Sequence, residues 1–140
     1  MTARDDIIAF CDRLGAAYQA KDADAIAAGY APDAVIYDLA PPLARRGLDR
    51  DETAAWLATW DGPVTFDGDD VDLVVAGDLA WMTMLSNMRG TKTDGTDVDL
   101  WFRTTTCFRN TDDGWRIVHD HASVPFLMDG SERAALALKP

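Results

Sequence analysis

Beyond residue 63 the chain alternates long runs of strand-forming residues with tight turn chemistry, and that layout leaves few folds open. The runs cover residues 64–75, 79–89, 98–109 and 115–124. The breakers between them are Ala76-Gly77-Asp78, Gly90 through Gly95, and Asn110 through Gly114. Gly, Asp and Asn in short connections predict antiparallel hairpins. The first sixty residues read differently. Thr2 with Asp5 three positions on makes a capping box, and Ile7, Phe10, Cys11, Leu14, Ala17 and Tyr18 recur at helical spacing. Lys21 ends that helix, Asp22 caps a short second one running to Tyr30, and Ala31-Pro32 stops it. A brief strand follows at residues 34–38. Asp49 with Glu52 caps a third helix carrying Trp56 and Trp60, which Asp61-Gly62-Pro63 terminates. Helices at one end and strands at the other imply an α+β fold. Three helices pack on a strongly curved antiparallel sheet and close a conical pocket.

The chain of 140 residues is long enough to form one domain, 1–140, with its own core. A formal charge of −11 disfavours nucleic acid and anionic membrane surfaces as partners. No apolar run reaches spanning length and no leader opens the sequence, so a soluble cytoplasmic domain is expected. Cys11 and Cys107 read as reduced core thiols.

The strand at 115–124 is the place to look for chemistry. It sets His119, Asp120 and His121 in succession among apolar residues. Side chains alternate faces, so Asp120 points one way and both histidines the other. A carboxylate beside Val118 and Ala122 must be paired, protonated or used. In the run 98–109, one face carries Val98, Leu100, Phe102, Thr104, Thr106 and Phe108, which suits a cavity wall. The other carries Trp101 and Arg103 with Asp97, Asp99, Thr105 and Cys107. Pairing the two strands adds Val118, Asp120 and Ala122 to the inner face, and His119 and His121 to the outer one. Asp38 closes the first strand, either as a turn-initiating aspartate or as a second carboxylate in the pocket. If both carboxylates point inward, their repulsion raises one pKa and makes an acid/base pair. Tyr18, Tyr30, Trp56, Trp60 and Phe126 are core residues or, collectively, the walls of a pocket for a flat apolar molecule. An H-x-H pair lacks the third ligand a metal requires, so no metal and no cofactor are expected.

These features resemble the nuclear-transport-factor-2-like superfamily, and within it the SnoaL-like and ketosteroid-isomerase-like proteins. The likeness rests on the helix pair from Ala16 to Tyr30 with its Lys21-Asp22-Ala23-Asp24 joint, and on Ala31-Pro32-Asp33-Ala34-Val35-Ile36-Tyr37-Asp38. It also rests on Arg46-Gly47 and the ending from Arg109 through Ser123. The resemblance implies the cone fold. It places the isomerases' general base on Asp38, but their oxyanion tyrosine falls on Leu14 and their second aspartate near Thr104 to Thr106. The acid/base aspartate of the SnoaL-like cyclases falls on Asp120. The H-x-H-x-S ending also resembles the association domain of calmodulin-dependent kinase, an oligomerisation module.

The expected function is cofactor-independent acid/base chemistry of isomerase, cyclase or dehydratase type on a small apolar, carbonyl-bearing metabolite. Asp38 and Asp120 are its catalytic groups, and Tyr18, Trp56, Trp60, Phe102, Thr104 and Thr106 bind substrate. A homodimer through Trp101, Arg103, His119 and His121 is expected on the outer sheet face. The alternative is a non-catalytic ligand-binding or dimerisation module of the same fold.

Overall fold

A computed structural model describes residues 1–140. Helix α1 (Ala3–Gln19) starts in the capping box, with Thr2 accepting from the Asp5 N–H and Asp5 accepting from the Thr2 N–H. Helix α2 (Ala23–Ala28) is capped by Asp22 and α3 (Arg50–Leu57) by Asp49. All three starts fall at the caps read from sequence. Six strands follow or intervene: β1 (Tyr30–Tyr37), β2 (Arg45–Arg46), β3 (Trp60–Ala76), β4 (Leu79–Lys92), β5 (Asp97–Thr111) and β6 (Gly114–Ser123). They form one sheet in the order β2-β1-β6-β5-β4-β3, antiparallel except for the β1–β6 pair.

The helices pack against one face of this curved sheet. Ile7 and Phe10 of α1 meet Leu73, Met82, Phe108, Trp115 and Ile117, with Phe10 edge-on to Phe108 at 5.7 Å. A second cluster joins Ala17, Ala23, Ile26 and Leu57 to Trp60 and Val64. Fully burying side chains of this size stabilises by about 1.5–3 kcal/mol each. The clusters leave space beneath the helices, a cavity of about 700 Å³.

Three expectations from the sequence need correction. Tyr30 opens β1 and does not close α2, whose C-cap is Gly29. Pro32 is tolerated inside β1 because pairing to β6 skips from Tyr30 to Val35, where its missing N–H costs nothing. Trp60 belongs to β3 and not to the third helix. It and Asp61 pair with Lys92 and Thr91, and Gly62 and Pro63 then fall in an irregularity before pairing resumes at Thr65. Val118 does not face the pocket: the ladder passes from Phe108–Ile117 to Cys107–His119, leaving Val118 as the extra residue of a bulge. The bulge switches the phase of the strand. Trp115 and Ile117 face inward before it, Asp120 and Ala122 after it.

Candidate functional site

The register places one row of side chains across the inner face: Met82 on β4, Thr106 on β5, Asp120 on β6 and Ile36 on β1. Asp120 is held from two sides. The Thr106 hydroxyl donates to its Oδ1 at 2.9 Å, and the Tyr30 hydroxyl donates to its Oδ2 at 2.9 Å. Burial pushes the Asp120 carboxyl above its ordinary value. The Thr106 and Tyr30 bonds oppose the rise, the charge of Asp38 adds to it, and His119 weakly counters it. Tyr18 and Tyr30 are themselves driven well above the usual phenol range, chiefly by burial and then by the charge of Asp120. Both therefore stay protonated at neutral pH, and Tyr30 is the one that donates to Asp120. The Cys11 thiol, in the same cavity, is pushed up to about 11 by burial and by Asp12 and Asp120, so it is no nucleophile.

The next inner row down is Met84, Thr104 and Ala122. Thr104 shares a hydrogen bond of 2.6 Å with Ser86, so one hydroxyl of the pair keeps a proton to offer a ligand. Phe102, Phe66, Tyr18 and Trp56 complete the aromatic walls, with Tyr18 edge-on to Phe66 at 4.8 Å and to Trp56 at 6.3 Å.

Of the residues singled out from sequence, Asp120, Asp38, Tyr18, Trp56, Phe102, Thr104 and Thr106 all line the cavity. Trp60 does not. It is 2 % exposed within the second core cluster, and its ring is covered by the Lys92 ammonium at 3.8 Å. Phe126 also lies outside the cavity and is 68 % exposed. Asp38 sits at the exposed rim, where its carboxylate accepts the Leu39 N–H at 2.7 Å. The cavity thus holds both aspartates, one inside and one at the mouth, not an adjacent pair. His119 and His121 lie on the opposite face, both edge-on to Tyr37 at 5.2 Å, with His119 Nδ1 bonded to the Val35 carbonyl at 2.7 Å. Arg103 is also outward, donating to Ser123. Trp101 is half-buried there, and the openly exposed tryptophan of that face is Trp81.

Tyr30, read from sequence only as one of the core-or-wall aromatics, lines the cavity, and its bond to Asp120 is what sequence reading missed. Treating Gly29 as the cap of α2 would have released Tyr30 into a strand. Its contact with Asp120, ninety positions away, depends on the parallel β1–β6 pairing, which has no local signal.

Among solved structures, this chain is similar to an NTF2-like protein of unknown function from Pseudomonas putida KT2440. The identity is 28 %, covering 100 % of this chain and 99 % of that one, with a TM-score of 0.81. It also resembles a provisionally named dehydratase of the NTF2-like family from Streptomyces avermitilis, at 20 % identity over 86 % and 95 % of the two chains, TM-score 0.73. A provisionally named aromatic ring hydroxylase from Novosphingobium aromaticivorans aligns at 20 % identity over 86 % and 87 %, TM-score 0.72. The last two likenesses concern the fold. No curated protein matches the chain in sequence. Residues 7–127 match the SnoaL-like domain, a span that contains α1 from Ile7 onward, α2, α3, the whole sheet and every residue lining the cavity. The chain belongs to the SnoaL-like domain family, with the NTF2-like fold.

Proposed function

We propose that the cavity binds a small, mostly apolar, carbonyl-bearing metabolite and that Asp120 moves a proton on it without a cofactor. The observation that supports this reading is the Asp120 carboxyl, placed in an aromatic cavity, oriented by two hydroxyl donors and made more basic by burial. In its ionised form it takes a proton from the carbon next to the carbonyl. The developing oxyanion receives a hydrogen bond from Tyr18, which stays protonated, or from the free hydroxyl of the Ser86–Thr104 pair. Thr106 cannot serve there, because its proton is engaged by Asp120. Returning the proton to another carbon gives an isomerisation. Attack of the enolate carbon on a second carbonyl carbon of the same molecule, with the proton delivered to that carbonyl's oxygen, gives a cyclisation. Returning the proton to a departing hydroxyl gives a dehydration, the reaction type in the provisional name of the Streptomyces avermitilis protein. Asp38 at the mouth suits proton exchange with solvent.

The test is deuterium exchange. A panel of cyclic and aryl ketones is incubated with the protein in D₂O, and loss of the α-proton is followed by NMR. Asp120→Asn is expected to lower exchange on at least one ketone by about 10²–10⁴. Equal rates for the two proteins across the panel would leave a binding module without turnover.

We also propose that the outer sheet face is a homodimer interface. It presents Trp81 at 44 % and Tyr37 at 39 % exposure beside His119 and His121, a concentration of large rings typical of partner surfaces.

A further inference from the structure

The charged residues of the cavity are almost all of one sign. Asp12 on α1, Asp38 after β1, Asp49 and Glu52 at the start of α3, Asp67 on β3 and Asp120 on β6 face a single cation, Arg45. The chain as a whole is acidic, but its 24 acidic and 13 basic residues amount to fewer than two acids per base. Negative charge is therefore concentrated at this cavity beyond the general surface. Arg45 has little left for a ligand, since its guanidinium is bound to Glu52 and to the Pro41 carbonyl. Asp49 is occupied as the α3 cap, and Asp67 is answered by Arg89. Asp12 and Asp38, both exposed at the mouth, have no cationic partner. Behind them stand the rings of Tyr18, Trp56, Phe66 and Phe102, whose negative faces attract cations. Low-dielectric walls focus the field of the carboxylates along the entrance.

We infer that the ligand of this cavity carries a protonated amine on its apolar body, and that carboxylate- and phosphate-bearing molecules are turned away. The inference rests on the cavity's being a small-molecule site, and it is independent of whether Asp120 performs chemistry. The amine is held at the mouth by Asp12 and Asp38, with the aromatic walls taking the apolar body.

Three probes of nearly equal shape separate charge from shape: 2-naphthylmethylamine, 2-naphthylmethanol and 2-naphthoate, titrated against the full chain by tryptophan fluorescence. The amine is expected to bind at least about tenfold tighter than the alcohol and the carboxylate weakest of the three, a spread that narrows between about 20 mM and 500 mM salt. Asp12→Asn and Asp38→Asn, tested singly, each lower the amine's advantage severalfold. Asp33→Asn removes the same charge from an exposed site outside the cavity and leaves the advantage intact. Equal affinity for amine and alcohol, tighter binding of the carboxylate, no binding of any probe, or an equal effect of Asp33→Asn would each overturn the inference. Deuterium exchange is read separately. Exchange that depends on Asp120 alongside a failed amine preference removes the charge selection and leaves the acid/base reading standing.

Discussion

Asp120 sets stability against function within one side chain. Its pKa rises on folding, so the folded chain binds that proton more tightly than the unfolded chain does. This stabilising contribution is complete below the unfolded value near 3.8 and is lost as pH climbs through the folded-state value. At neutral pH an ionised, partly buried carboxylate works against folding. Asp120→Asn keeps the shape and removes the charge, and with one of the two hydroxyls turned to accept from the new amide N–H it is expected to raise Tm by on the order of a few °C at pH 7. The gain should shrink as pH falls toward 4. Thermal melts of the two proteins across that range check both sign and slope, and a lower Tm for the variant at pH 7 would contradict the account. At this scale the site was half legible. An aspartate inside an apolar strand is conspicuous from sequence alone, and so were the threonines on the facing strand. The bond from Tyr30 to Asp120 was hidden because it comes from a parallel pairing formed across ninety residues. Trp60 was misjudged because a large aromatic looks the same in a sequence whether it walls a cavity or fills a core.

Element starts were easier to read than element ends. Thr2, Asp22 and Asp49 cap their helices as their side-chain chemistry requires. Pro32 and Gly62-Pro63, in contrast, look like terminators. In the folded chain they sit in irregularities of β1 and β3, where a missing donor or a left-handed residue does no harm. The bulge at Val118 is the most consequential of these irregularities, since strict alternation from Trp115 would turn Asp120 outward. Nothing in the residue pattern announces it. Gly47 shows how tightly one turn can be fixed. Its φ is +73°, its N–H donates to the Ala34 carbonyl, and an added Cβ would stand 2.5 Å from the Pro32 carbonyl oxygen. Gly47→Ala should destabilise by about 2–4 kcal/mol, combining left-handed strain with overpacking. Gly62→Ala, at φ +82° in open space, should lose only about 1–2 kcal/mol. Urea unfolding of both variants measures the difference, and equal losses would show that the Pro32 contact does not matter.

The arrangement of helices on a curved sheet was legible from the order of elements, because all three capped helices fall in the first sixty residues and the four long strands follow them. Which residues surface on the outer face was less so. The run 98–109 was divided correctly into inner and outer sets, yet the prominent ring is Trp81 of the neighbouring strand, opposite Cys107 and in line with His119. Only the register across three strands could reveal that row. If this face joins two copies, Trp81→Glu places a charge at its centre. The wild-type chain should sediment as a dimer at about 50 µM and the variant as a monomer with unchanged far-UV circular dichroism, given a standard interface of roughly 800 Å² per partner. A monomeric wild-type chain at that concentration would contradict the proposal.

The central claim is that the Asp120 carboxyl is a desolvated, basic group in a ligand cavity. Its pH titration by carbon-detected NMR, with Asp120→Asn as the assignment control, tests this most directly. The account predicts a midpoint clearly above the unperturbed value of about 3.9. A midpoint at or below that value would make Asp120 a solvated or paired structural charge and remove the proton-transfer chemistry built on it.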